Sequence, residues 1–167
     1  MRSTDFFLCI TGDILYFSDM KFTCEITISR PRSEVANAFK NPENLDKWQE
    51  GFLRKEPLSG EPEQAGSTAN IYFKFGKGEM ELTETILSNK LPDSFSGEYV
   101  HKHMTNTMLS TFIEISPTET LYKAEVEYTK FVGFMPKLMA TLFPGMFKKQ
   151  VQKWLNNMKI FLENESE

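Results

Sequence analysis

The sequence predicts an α+β domain: a six- or seven-stranded antiparallel sheet curved around a long carboxy-terminal helix, with two short helices after the first strand. Three observations carry this prediction. Lys21–Ser29 alternates, with Phe22, Cys24, Ile26 and Ile28 on one face and Thr23, Glu25 and Thr27 on the other, as a half-buried strand does. From Phe52 to Thr129 one alternating run follows another, separated by short turn signals. Phe147, Val151, Trp154, Leu155, Met158, Phe161 and Leu162 then make an apolar stripe at helical spacing, with Lys148, Lys149, Lys153, Asn156, Asn157 and Lys159 opposite. The apolar face of the sheet and the apolar stripe of the helix must both be buried, so each is the natural partner of the other.

The elements follow in order. Ser29-Arg30-Pro31 stops the first strand, and Pro31 or Ser33 opens a helix through Phe39 with Val35, Ala38 and Phe39 on one side. Asn41-Pro42 breaks it and starts a second short helix through Leu45 and Trp48, which Gly51 ends. Phe52–Ser59 is the second strand, followed by the loop Gly60-Glu61-Pro62. Ala69, Ile71, Phe73 and Phe75 share a face of the third, and Gly76-Lys77-Gly78 is the hairpin turn after it. Met80, Leu82 and Ile86 share a face of the fourth, opposite Glu79, Glu81, Thr83 and Thr85. Leu91-Pro92-Asp93 is the next turn, and Phe95, Gly97 and Tyr99 line the fifth strand. Thr105–Ile115 is the sixth, ended by Ser116-Pro117-Thr118, and Tyr122, Ala124, Val126 and Tyr128 line the seventh. Short turns imply antiparallel neighbours in sequential order. Gly133–Phe143 reads as helical, separated from the long helix by Pro144-Gly145.

With 167 residues, 40% hydrophobic and 25% charged, the chain can bury a full core and does not read as disordered. Its net charge of −4 argues against general nucleic-acid binding. Cys9 and Cys24 are too few for a disulfide scaffold or a Cys-only zinc site. No phosphate loop, Gly-x-Ser-x-Gly elbow or His-Glu-x-x-His segment occurs, and the sequence implies no cofactor. Residues 1–19 read as an amino-terminal extension, with Met20 an alternative start. The domain is expected over 20–163, with 164–167 as a tail. The apolar run Phe6–Ile10 is bracketed by Asp5 and Asp13 and is too short for a secretory signal. No stretch approaches the roughly 20 apolar residues of a membrane span. The expectation is therefore a cytoplasmic protein with reduced thiols.

Met20-Lys21-Phe22-Thr23-Cys24-Glu25-Ile26-Thr27-Ile28-Ser29-Arg30-Pro31, followed by Val35, Phe39, Asn41-Pro42-Glu43-Asn44-Leu45 and Trp48, resembles the START/polyketide-cyclase-like (SRPBCC) superfamily. The resemblance covers about Met20 to Leu162. It implies a helix-grip fold and a hydrophobic cavity between the sheet and the last helix. It implies no catalytic residue, because the superfamily spans lipid carriers, plant hormone receptors, pollen-allergen-like binders, cyclases and chaperone co-regulators and shares none.

The preferred reading is accordingly a binding or transport protein for a small hydrophobic molecule, and not an enzyme. The composition fits a lined hollow, with Phe 15 and Met 9 concentrated on inward strand faces and the last helices. Expected ligand-binding positions are Trp48, Phe73, Phe75, Met80, Leu82, Tyr99, Phe112, Tyr122, Val126, Trp154 and Met158, with Glu84 and His101 orienting the ligand. For Trp48 core packing is the competing reading. Glu84 shares the face of Met80, Leu82 and Ile86, where a carboxylate is costly unless paired or protonated; a bulge or a strand end reaching water is the plainer reading. The first alternative is a cyclase- or hydrolase-like enzyme using Glu84 or His101 as acid–base, although a rim position is the commoner fate of such a histidine. His101 and His103 share a face but lack a third ligand, so no metal site is expected. Asn106 and Ser110 could be polar points in a pocket or face solvent, because both faces of the sixth strand are semi-polar. Tyr72 and Lys74 are expected to face solvent, and Cys24 to be a buried inert thiol. Residues 131–162 hold five lysines and no acidic residue. The simpler account packs the apolar side on the sheet. The second alternative function is contact with a membrane or a protein partner through residues 134–147. A monomer or a homodimer is compatible with the sequence.

Overall fold

The computed structural model describes residues 20–134, 138 and 142–164. The expected extension over 1–19 and the last three residues of the tail lie outside them. The strands are β1 (Met20–Ile28), β2 (Phe52–Ser59), β3 (Thr68–Phe75), β4 (Gly78–Lys90), β5 (Ser94–His101), β6 (Met104–Ser116) and β7 (Glu119–Phe131). The helices are α1 (Arg32–Lys40), α2 (Leu45–Trp48) after a 3-10 turn at Pro42–Asn44, and α3 (Pro144–Asn164). Of the expected helix over 133–143, Phe134, Leu138 and Leu142 are helical, and most of the remainder lies outside the described residues.

All seven strands form one antiparallel sheet in the order β1-β7-β6-β5-β4-β3-β2. Sequential order holds from β2 to β7, where the connections are short enough for hairpins. β1 does not join β2. The two helices that follow it carry the chain across, and β1 pairs with β7 from Met20↔Tyr128 to Ile28↔Thr120. The fold is the expected α+β helix-grip: a seven-stranded open sheet, two short helices after β1 and a long closing helix.

The two sheet edges are handled differently. β2 has register shifts between Phe52 and Arg54 and between Pro57 and Ser59, and it carries Arg54, Lys55, Glu56 and Pro57, all features that discourage further strand pairing. Arg54 also stacks over Tyr72 at 3.7 Å on the outer face. β1 is instead tied to α3. Gln152 Nε2 donates to Glu25 O at 3.1 Å, Lys159 Nζ to Thr27 O at 2.8 Å, and Ser29 N to Glu163 Oε1 at 2.7 Å. These bonds satisfy edge groups that no further strand pairs.

The solid core lies where α1 packs on β6 and β7. Phe39 is its hub, with ring centroids 5.2 Å from Phe112, 5.4 Å from Phe95, 5.9 Å from Trp48 and 6.0 Å from Tyr122. Tyr122 Oη shares a 3.1 Å hydrogen bond with Ser110 Oγ, and burial pushes its hydroxyl well above the usual range for tyrosine. Ser110 therefore faces the core. Cys24 is buried on the same inner face, and burial raises its thiol as well, as expected of an unreactive cysteine.

Candidate functional site

α3 packs chiefly on β1 and α2, so one helix is asked to cover a sheet seven strands wide. The inner face of the middle strands is left with a hollow of about 610 Å³. That is within the ~300–1,000 Å³ typical of small-molecule sites. Phe73 and Trp154, stacked at 5.6 Å, bridge sheet to helix along its wall.

Nine of the expected positions border the hollow: Trp48, Phe73, Phe75, Met80, Leu82, Glu84, Tyr99, Val126 and Trp154. Phe75 does so at the mouth, where it is 69% exposed. Four do not, and the expectation is corrected for each. Phe112, Tyr122 and Met158 are 1%, 0% and 0% exposed and belong to the solid core, because α1 and α3 press directly on that end of the sheet. His101 ends β5 at a hairpin corner. There its Nδ1 accepts from His103 N at 3.4 Å and its ring lies 5.3 Å from that of His103, away from the hollow. Its neighbours and partial burial hold its imidazole below the usual pKa, with burial the larger cause. Among the described residues no cluster of three or more His, Cys, Asp and Glu side chains could hold a metal ion. Both indole nitrogens, of Trp48 and Trp154, are buried without a hydrogen-bond partner among the described residues.

Glu84, 5% exposed, is the inward-facing carboxylate that the β4 alternation predicts. Its partner was not legible from alternation alone. Phe52 pairs with Phe73, but the next paired residue is Arg54, opposite Tyr72. This bulge adds one residue and reverses the facing of everything after it. Lys55, which strict alternation from Phe52 would send to solvent, therefore turns inward. Its Nζ lies 2.5 Å from Glu84 Oε2 and 3.2 Å from Glu63 Oε1. Burial alone would lower the Lys55 pKa, yet the charges of Glu84 and Glu63 and their hydrogen bonds outweigh it, and the net shift is upward. The ammonium stays charged at neutral pH.

The polar groups continue across the sheet in a single row. Glu84 is the cross-strand neighbour of Tyr99, Tyr99 of Asn106, and Asn106 of Tyr128, and all four border the hollow. Tyr99 sits beside Glu84 across the strands; burial, then the adjacent negative charge, hold its hydroxyl well above its usual pKa. Burial pushes Tyr128 up to about 12. Both remain neutral hydroxyls at physiological pH. The Tyr99 ring folds back over Gly97, where a Cβ would come within 3.1 Å of its Oη. Asn106 makes no side-chain hydrogen bond among the described residues. Met80 and Leu82 lie on the hairpin-tip side of this row, and Phe95, Met108 and Val126 on the other.

The mouth is ringed by exposed Lys40, Glu50, Lys74, Phe75, Met146 and Gln150. Leu142 and Phe143, at 59% and 56% exposure, lie just before α3. No helix among the described residues is long and apolar enough to cross a membrane.

No family model matches the chain, and no curated protein matches it in sequence. Solved structures do match in three dimensions. The aromatase/cyclase Zhui from Streptomyces sp. R1128 has a TM-score of 0.75 at 9% identity, over 90% of this chain and 97% of that one. Ara h 8.0201 gives 0.69 at 13% identity, over 88% and 100%. A START superfamily protein from Mycobacterium smegmatis gives 0.68 at 10% identity, over 85% and 98%. At such identities these likenesses establish the fold and leave the site to be argued from its own residues. The chain has the helix-grip fold that these solved structures share.

Proposed function

We propose that the protein binds or carries a small hydrophobic molecule in the hollow between the sheet and α3. The observation that carries this reading is a cavity of about 610 Å³ walled by Trp48, Phe73, Met80, Leu82, Val126 and Trp154 and crossed by one polar row. Apolar walls supply affinity through burial of ligand surface, at roughly 25 cal/mol per Å² before ordering costs. The polar row supplies orientation.

The test is a titration with the uncharged fluorophore N-phenyl-1-naphthylamine, read by its own emission. Saturable one-to-one binding is expected. Leu82→Trp grows into the hollow and is expected to weaken binding at least tenfold while the protein still melts cooperatively. Absence of saturable binding to the unaltered protein, or equal binding to Leu82→Trp, refutes the reading.

A cyclase-like enzyme is the second reading. It is favoured by a buried carboxylate beside a tyrosine inside the cavity, and by the fold likeness to a protein named as an aromatase/cyclase. With His101 away from the hollow, Glu84 is its remaining acid–base candidate. It requires that Glu84→Gln abolish turnover of a bound polyketone without unfolding the protein.

A further inference from the structure

We infer that the hollow takes an uncharged amphiphile, whose hydroxyl or carbonyl group hydrogen-bonds the Asn106 amide, and discriminates against the corresponding carboxylic acid. The inference rests on the ligand-binding reading above and names the chemistry that this site selects.

The polar row holds four groups from β4 to β7, and its charged end is already committed. Lys55 Nζ is held between Glu84 at 2.5 Å and Glu63 at 3.2 Å. Tyr99 lies beside Glu84 across the strands. Asn106, like the Tyr128 hydroxyl beside it, is uncommitted among the described residues. It borders the hollow, has no side-chain partner among the described residues, and lies between Tyr99 and Tyr128. An amide both donates and accepts, so it suits an alcohol or a ketone equally well.

Charge decides what the row refuses. Lys55 carries one positive charge and faces two carboxylates, so this inner group sums to one negative charge. Neither tyrosine offers a cation, and no other lysine or arginine borders the row. A ligand carboxylate at Asn106 would lose its hydration without gaining a counter-ion, the costly way to bury a charge. It would also lie two strands, roughly 10 Å, from Glu84. The charged groups nearest the mouth, Lys40, Lys74 and Glu50, are exposed and screened by water and salt. Lys153, 2.5 Å from Glu50, is occupied there.

The experiment displaces bound N-phenyl-1-naphthylamine from the full chain with decan-1-ol or with decanoate, at a pH where the acid is ionised. Decan-1-ol is expected to bind at least tenfold more tightly. Glu84→Gln, or Glu63→Gln if the first variant does not fold, is expected to narrow that gap. Asn106→Leu is expected to lower the affinity for decan-1-ol at least fivefold relative to that for the apolar probe. Decanoate that competes as well as the alcohol, or an unchanged alcohol-to-probe ratio in Asn106→Leu, overturns the inference and leaves the ligand-binding reading standing. Failure of the probe itself to bind overturns both.

Discussion

Phe39→Ala removes the side chain on which the solid core converges, and its cost can be worked from the ring geometry. Phe39 is 8% exposed and touches four aromatic rings at centroid distances of 5.2–6.0 Å, one stacked and three edge-on. Burial of such a side chain contributes ~1.5–3 kcal/mol. Each ring pair adds ~0.5–1.5 kcal/mol. Phe→Ala losses in packed cores fall at about 3–5 kcal/mol, because neighbours relax partway into the void. Phe39 also borders the hollow, so Trp48 has somewhere to move, and a value near the middle of that range is expected. For a domain of this size, at roughly 3–4 °C per kcal/mol, the melting temperature should fall by about 10–20 °C. Circular dichroism melts of Phe39→Ala and Phe75→Ala make the comparison internal, since Phe75 is 69% exposed at the mouth and should cost less than about 0.5 kcal/mol. Similar losses for the two variants would refute the claim that α1 pins the core through Phe39.

Two further predictions concern the polar row and the helix tether. Gly97→Ala places a Cβ within 3.1–3.3 Å of the Tyr99 ring, so the ring must move; a loss of about 1–2 kcal/mol is expected, and Tyr99→Ala in the same chain should recover most of it. A double-mutant cycle checks this, and additive losses would mean that the two residues do not touch. At Glu163 burial pushes the carboxyl pKa up, but hydrogen bonds from Lys159 and Ser29 outweigh it and leave the pKa below the usual 4.5. Its stabilisation is therefore present above that value and lost as pH falls through the lowered one. Glu163→Gln should melt lower at pH 7 and lose less on acidification below pH 4.5 than the unaltered protein; parallel melting curves would show that the tether between β1 and α3 does not depend on this charge.

Residues that alternate against one dry face were legible in the sequence. Tyr122, Ala124, Val126 and Tyr128 are all buried on β7, and Met80, Leu82 and Ile86 offered an inward Glu84 against the plainer reading of a bulge or a strand end in water; the structure buries it. β6 was ambiguous for a physical reason: its outer face carries Leu109, Ile113 and Ile115 at 40%, 44% and 53% exposure, so apolar character does not separate its faces. The boundary between core and hollow could not be read from periodicity. Phe112 and Met108 share a face and a period, and only the position of α1 over β6 makes one solid core and the other a cavity wall. Lys55 was hidden by the bulge after Phe52, since a single inserted residue reverses facing without changing composition. Asn106 was recognised as a polar point but left without a face until the β5–β6 register placed it beside Tyr99.

The most direct test of the central claim uses methionine methyl groups as position markers. Met80 and Met108 border the hollow, whereas Met158 is fully buried in the solid core on α3. In a chain labelled with carbon-13 at the methionine methyls, saturating N-phenyl-1-naphthylamine should shift the Met80 and Met108 resonances strongly and leave Met158 nearly in place. Equal shifts at all three, or movement of Met158 alone, would contradict the account of a ligand cavity between the middle strands and α3.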